Sequence, residues 1–262
     1  MTPVIVTRGA GPLVLAMPHG GTALPPAIAA VLNPRGARLT DTDWHIDRLY
    51  AGLAPRATIV RATFHRYAID ANRPPDGASL YPGQNTTGLV PLTDFDGHAI
   101  WRQPPADIAE RIAAFHAPYH AALAAELDRV RARNGVAILY DCHSIRSRIP
   151  FLFDGVLPDF SIGTADGASC APALANVVTD ICGTAEGYTA ILNGRFKGGW
   201  TTRHYGRPAE GLHAIQMELA QSTYLATESP PFAYDAARAD RLRPVLARIL
   251  AALETLAPEL AP

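Results

Sequence analysis

Cysteine is scarce in this sequence, and its few cysteines do not form obvious pairs. The 262 residues include three cysteines, Cys142, Cys170 and Cys182. An odd number without close spacing argues against a framework of disulfide bonds. Because disulfides persist mainly in oxidising compartments, the sequence predicts a protein of the reduced cytoplasm.

Long apolar runs and an excess of one charge are also missing. No run approaches the roughly 20 apolar residues that a membrane helix needs. Residues 1–6 show neither the basic region nor the long apolar segment of a secretory signal. The 23 basic and 24 acidic residues give a formal net charge of −1, which provides no electrostatic reason to expect nucleic-acid or membrane binding. We therefore expect a soluble protein without such partners, and its oligomeric state stays open.

What the sequence does contain is enough apolar residues for a large core, in alternating strand and helix patterns. Hydrophobic residues make up 48% of the chain. Strands that alternate with helices are typical of a mainly parallel sheet covered on both faces. The prediction is a single α/β domain over residues 1–262, with a mixed, mostly parallel sheet between helices. Strands are predicted at 4–6, 13–16, 57–62, 136–140, 151–153, 160–163, 188–192 and 212–219, helices at 25–32, 44–50, 105–133, 172–182 and 235–256, and a short extended piece at 67–69.

One segment is too rich in proline and glycine for regular secondary structure. It runs from Asn72 to Gly88. Loops of this length in a compact domain are usually functional or disordered. Its tyrosine and leucine, and its lack of a charge run, favour an ordered loop at the active site.

Two predicted strands each deliver a histidine at the end of the strand. The run Leu13–Met17 leads into His19, and the run Val136–Tyr140 leads into His143. Ligand sites form at the carboxyl ends of strands in open α/β sheets, and neutral imidazole is a common zinc ligand. The matching contexts predict a divalent metal, zinc above all, between the two strands. The alternative is that each histidine is a hydrogen-bonded core or loop residue.

Carboxylates are available both to complete such a metal site and to act beside it. Catalytic zinc usually takes three protein ligands. Asp43 and Asp47, four residues apart on a predicted helix, would project from one face, so that one ligates and the other orients. Glu218 follows a late strand and is predicted to take the proton from a water molecule. The alternative for Glu218 is a solvated edge residue or a partner of an arginine.

Several arginines lie in polar loops near these predicted strand ends. Guanidinium groups bind carboxylates with two hydrogen bonds, so the set predicts a small acidic substrate, although each arginine alone is more often a surface ion-pair residue. Asn72 and Gln84 are predicted to assist, with turn formation as the alternative. The arginines concerned are Arg73, Arg146, Arg195 and Arg203.

Taken together, these segments resemble the N-formylglutamate amidohydrolase (N-formylglutamate deformylase) family. The resemblance runs in order from about residue 12 to residue 225. The long loop and the Gly-Arg-Phe-Lys segment are its specific parts, whereas Pro-His-Gly-Gly alone would be a weak signal. The matching segments are Met17–Gly21, Asp41–Leu49, Asp70–Gly88, Asp141–Ser144, Gly194–Gly206 and His213–Glu218.

The resemblance implies zinc-dependent hydrolysis of N-formyl-L-glutamate to formate and L-glutamate, the last step of one route of histidine breakdown. It also implies a scaffold similar to those of zinc carboxypeptidases and aspartoacylases, which take a metal-binding histidine and glutamate from one His-x-x-Glu segment. In this chain Thr22 stands three residues after His19, so the acidic ligand is expected from Asp43 or Asp47. The general-base glutamate of those relatives follows a late strand, as Glu218 does.

In this interpretation Arg146, together with the metal, stabilises the oxyanion. Arg73, Arg195 and Arg203 would hold the two substrate carboxylates. Two alternatives stay open. One is a deacylase or peptidase acting on another N-acyl amino acid or peptide, and the other is a non-catalytic protein that binds acidic ligands.

Overall fold

The strands of this protein form one mixed sheet. The computed structural model describes residues 1–80 and 83–261. Within these residues the sheet has seven strands in the order β1-β3-β2-β4-β7-β5-β6. The strands are β1 Val4–Thr7, β2 Leu13–Met17, β3 Thr58–Ala62, β4 Ala137–Ile145, β5 Phe160–Gly163, β6 Ala190–Leu192 and β7 Leu212–Ala220.

The centre of the sheet is parallel and its flanks are not. Strands β3, β2, β4 and β7 are parallel neighbours. Strand β1 is antiparallel to β3, and β5 is antiparallel to β7 and parallel to β6. This arrangement confirms the predicted α/β fold with a mixed sheet. Because β2, β4 and β7 run in one direction, the residues at their carboxyl ends meet along one edge of the sheet.

Helices cover both faces of the sheet. Helices α4 and α6 contact one face, and α5 and α7 contact the other. Among the described residues, no helix combines the length and the apolar character that crossing a membrane would require. The helices are α1 Pro26–Val31, α2 Ile46–Tyr50, α3 Ile108–Arg111, α4 Ala117–Asn134, α5 Pro172–Gly183, α6 Trp200–Tyr205 and α7 Ala236–Leu256.

The side chains of strand β4 alternate between the two faces of the sheet. Successive side chains of a strand point to opposite sides. Ile138 and Tyr140 belong to the apolar core on the α5 and α7 side, whereas Leu139 belongs to the core on the α4 side. Asp141 and His143 continue the α4 face at the end of the strand. Burial on both sides explains why the run before them is apolar throughout.

Several elements depart from the prediction. Residues 67–69 and 151–153 are turns and loop rather than extended pieces, and α6 was not predicted. The predicted helix over 105–133 starts at Ile108 and contains a π-helical turn, Ile112–His116, just before Pro118. Proline has no N–H to continue the helical ladder, and a π turn is a common way to accommodate such an interruption.

The helix predicted over 44–50 begins only at Ile46. His45, the residue before it, has a positive φ of 58°, so the chain turns sharply there. Asp43 therefore lies in a loop and does not share a helix face with Asp47. The expectation that these two aspartates lie side by side is wrong for this reason.

Candidate functional site

Two histidines and one aspartate converge at the edge of the sheet. His19 follows β2, His143 lies on the neighbouring β4, and Asp43 lies in the loop before α2. The two Nδ1 atoms are 3.2 Å apart. Asp43 Oδ2 is 3.2 Å from His143 Nδ1 and 3.9 Å from His19 Nδ1. All three side chains are buried, so these atoms form a compact cluster away from bulk water.

The outer nitrogens of both imidazoles face carboxylates. His19 Nε2 is 2.6 Å from Asp70 Oδ1, and His143 Nε2 is 3.1 Å from Asp141 Oδ1. Asn72 Nδ2 also lies 3.1 Å from His143 Nε2. We assign the proton of His19 to Nε2, because a bare Nε2 would place its lone pair against the buried carboxylate of Asp70. The Nδ1 lone pair of His19 then points into the cluster, in the carboxylate–histidine arrangement typical of metal ligands. Nδ1 of His143 faces the same cluster, where it lies near both His19 and Asp43.

The donor set of the cluster fits a divalent metal. Ligand atoms at about 2.0–2.1 Å from a tetrahedral zinc would be roughly 3.3–3.4 Å apart, which is close to the separations within the cluster. Burial lowers the pKa of His143, but Asp141 and Asp43 raise it by more, and the net shift is well upward. The surroundings of this ring therefore favour positive charge. Two nitrogens and one carboxylate oxygen are a ligand set that zinc accepts.

A buried arginine that the sequence patterns did not reveal lies beside the cluster. Arg66 Nη2 donates to Asp43 Oδ1 over 2.6 Å, while Asp43 Oδ2 accepts the backbone N–H of Ser144. Burial raises the pKa of Asp43, but Arg66 and the histidines more than reverse this, so the carboxyl is ionised. Arg66 lies between β3 and the segment predicted as short extended structure, and no local pattern marks it as part of a site.

The cluster opens into a cleft at the carboxyl ends of the central strands. The cleft contains about 610 Å³ of empty space, counted with its open mouth. Phe95, Leu152 and Phe196 contribute apolar wall. The polar residues on its wall include His19, Arg66, Arg73, His143, Arg195 and Glu218.

Glu218 lies beside the cluster, on the strand next to the one that carries His143. It lies on β7 directly opposite His143 in the sheet register, and its side chain is buried. Burial raises the pKa of Glu218 to about 8, although the nearby His143 opposes the shift. A raised pKa makes the ionised form of this carboxylate a stronger proton acceptor than an ordinary glutamate.

Two of the four predicted arginines line the cleft. Arg73 donates to the backbone oxygens of Thr87 and Asn72. Arg195 donates to the backbone oxygens of Leu152 and Asn85. Both guanidinium groups are thus held by the loops around the cleft mouth. Residues 81 and 82 of the long predicted loop lie outside the described residues.

Five predicted site residues do not line this cleft in the part of the chain that the structure describes. One of them, Asp43, nevertheless contacts His143 in the cluster. Asp47 is half exposed and pairs with Arg61. Arg146 pairs with Asp96, and Arg203 donates to Gly198 O. Gln84 is exposed. The structure thus brings Asp43 rather than Asp47 to the histidines, and Arg66 rather than Arg146 to the cluster.

Comparisons with known proteins agree with this architecture. The sequence profile of the N-formylglutamate amidohydrolase family matches residues 11–225. The N-formylglutamate deformylases of Pseudomonas aeruginosa and Pseudomonas putida are 50% and 47% identical to this chain, over 94% of it and 94% and 93% of their own lengths.

Two solved structures share the fold. The N-formylglutamate amidohydrolase of Ralstonia eutropha is 28% identical with a TM-score of 0.80, over 96% of this chain and 97% of its own. A gene product of Agrobacterium tumefaciens has a TM-score of 0.73 at 18% identity, over 98% of this chain and 96% of its own, which shows similarity of fold alone. Because the family profile covers most of the chain and curated relatives reach half identity, the chain belongs to the N-formylglutamate amidohydrolase family.

Proposed function

We propose that this protein hydrolyses N-formyl-L-glutamate to formate and L-glutamate, using a divalent metal, most simply zinc, at His19, His143 and Asp43. The observation that carries the proposal is the convergence of this cluster with Glu218 in one cleft. The names of the relatives at half identity support the substrate. Such a step would belong to histidine breakdown.

The metal-binding cluster and Glu218 have different roles in the proposed reaction. A divalent metal, when bound, supplies Lewis acidity and makes water a stronger acid. Glu218 accepts a proton from the attacking water as the oxygen–carbon bond to the formyl carbon forms. The same residue returns that proton to the nitrogen as the carbon–nitrogen bond breaks, so that formate and the free amine leave.

Negative charge develops on the formyl oxygen during this attack. Arg66 is the cationic side chain that both contacts Asp43 and lines the cleft. We assign to it the oxyanion role that the sequence suggested for Arg146. A fixed donor inside a water-poor site stabilises such charge more than solvent does.

The two carboxylates of the substrate need two cationic partners. Arg73 and Arg195 both line the cleft, and loop contacts fix the position of each. Guanidinium groups bind carboxylates through charge-assisted hydrogen bonds, so cations on the cleft wall favour an acidic substrate. The carboxylates, and not the formyl group, would therefore supply most of the substrate's recognition.

A substrate panel tests the proposed function. The specificity constants of metal-loaded protein are measured for N-formyl-L-glutamate, N-formyl-L-glutamine, N-formyl-L-methionine and N-acetyl-L-glutamate, with formate or acetate release as the readout. N-formyl-L-glutamate is expected to exceed the two other formyl compounds by about 1.5–3 kcal/mol in transition-state binding, the usual contribution of a hydrogen bond to a charged group. Equal constants for all formyl compounds would favour a general deacylase. Binding of N-formyl-L-glutamate without any turnover would favour a binding protein.

A further inference from the structure

We infer that Gln216 is a positioning residue that holds the carboxylate of Glu218 in one orientation. The inference rests on the proposed role of Glu218 as the base. Gln216 precedes Glu218 by two residues on β7, so the two side chains project from the same face of the sheet. Gln216 is only 3% exposed and lines the cleft.

Hydrogen bonds at both ends determine how the carboxamide of Gln216 points. The backbone N–H of Gly199 donates to Gln216 Oε1 over 2.7 Å. Because this donor needs an oxygen opposite it, the amide nitrogen must face the other way. Gln216 Nε2 then donates to Glu218 Oε2 over 3.3 Å. An Nε2 group has no lone pair to compete for the proton that Glu218 is proposed to accept.

The donor to Gln216 is itself rigidly placed. Gly199 precedes α6, and a Cβ atom at this position would lie 2.3 Å from Asn72 Nδ2. No larger residue fits without displacing Asn72. The backbone N–H of Thr201 donates to Asn72 Oδ1 over 2.8 Å. The start of α6 therefore orients two carboxamides together, one beside Glu218 and one beside His143.

The two oxygens of the Glu218 carboxylate therefore have different roles. Gln216 engages Oε2, which leaves Oε1 as the acceptor for the proton of the attacking water. Without this contact the carboxylate rotates among orientations, of which only some are productive. A small misplacement of a catalytic group can reduce the rate about 100-fold.

Two variants separate this role from a structural one. Gln216→Met keeps the length of the side chain and removes both hydrogen bonds. Gln216→Glu keeps an oxygen for the N–H of Gly199 and loses the amide donor to Glu218. Both are expected to lower kcat by about 10–100-fold, with KM within about threefold of wild type and with unchanged metal content. Wild-type kcat in Gln216→Glu would show that Glu218 does not need the amide donor, and would overturn the inference even if Gln216→Met fails to fold.

A second experiment tests whether the effect of Gln216 on turnover depends on Glu218. Gln216→Glu is combined with Glu218→Gln, and residual turnover is measured with high protein concentration. The substitution at position 216 is expected to add less than about threefold to the loss already caused by Glu218→Gln, since residues that act as a unit are not additive. A full further loss in the double variant would show an independent structural effect and overturn the inference. Wild-type turnover of Glu218→Gln alone would overturn the proposed base, and the inference with it.

Discussion

His143 on β4 and Glu218 on β7 are directly opposite each other in the register of the parallel sheet. Neighbouring strands are about 4.8 Å apart, so this pairing sets a proposed metal ligand and the proposed base at one level of the fold. His19 reaches the same level from β2, the other neighbour of β4. This alignment exists because β2, β4 and β7 are adjacent and parallel. The variants below therefore change residues around this part of the sheet.

The two aspartates considered as metal ligands provide a matched pair of variants. Asp43→Asn is expected to lose the bound metal and most activity, because an amide is a poorer ligand than a carboxylate and cannot balance the buried Arg66. Asp47→Asn is expected to retain both, because Asp47 is half exposed and contacts Arg61. Elemental analysis after purification without chelator measures the metal. Metal loss in Asp47→Asn instead of Asp43→Asn would contradict the assigned ligand set.

Arg66 and Arg146 form a second matched pair. Arg66→Lys is expected to lower kcat by roughly 10²–10³-fold, the usual effect of removing one oxyanion donor, because a lysine cannot both contact Asp43 and reach the formyl oxygen. Arg146→Lys is expected to stay near wild type, since Arg146 pairs with Asp96 away from the cleft lining. Steady-state kinetics of both variants on N-formyl-L-glutamate decide between them. A large loss in Arg146→Lys alone would restore the role that the sequence suggested.

The arginines of the cleft mouth are expected to affect binding of the substrate more than its turnover. Arg73→Lys and Arg195→Lys should each raise KM about tenfold or more, because an ammonium group cannot keep the loop contacts of the guanidinium and also reach a carboxylate. Arg203→Lys serves as the control, since Arg203 does not line the cleft. KM for N-formyl-L-glutamate is the measurement. Unchanged KM in both cleft variants would remove the basis for carboxylate recognition by these two residues.

A buried histidine away from the cluster is expected to support the segment that carries Asn72. His120 Nε2 donates to the backbone oxygen of Ala71 over 2.7 Å, and the hydroxyl of Tyr205 lies 3.1 Å from its Nδ1. His120→Phe should lower the free energy of unfolding by about 1–3 kcal/mol, because a buried carbonyl loses its partner. Denaturant unfolding measures the change, with His98→Phe at an exposed position as control. Equal stability of both variants would show that the contact with Ala71 does not support the fold.

Local sequence patterns predicted the seven strands that form the sheet, although not their order, and directed attention to the two histidines. Apolar runs that end in polar residues mark buried strands, and His19 and His143 stand where such runs end. The strand predicted at 151–153 is wrong because Leu152 and Phe153, although apolar, lie in a turn. The backbone N–H groups of both residues donate to Ile149 O. A run of three residues does not distinguish a strand from an apolar wall.

The residues that the sequence could not place depend on contacts between distant parts of the chain. Arg66 belongs to the site because Asp43, 23 residues earlier, is buried against it. Arg146 was expected at the site because it follows the strand that carries His143. However, β4 ends at Ile145, and the Arg146 side chain pairs with Asp96. Cytoplasmic location and zinc as the metal stay predictions.

The central claim is that hydrolysis of N-formyl-L-glutamate depends on a metal held by the cluster of His19, His143 and Asp43. The most direct measurement is a titration of chelator-treated protein with zinc, in which formate release and bound zinc are recorded together. The account predicts that activity is lost on chelation and returns in proportion to bound zinc, reaching its maximum near one ion per chain, and that His143→Ala neither binds zinc in this range nor recovers activity. Full activity in a preparation without any bound metal would contradict it.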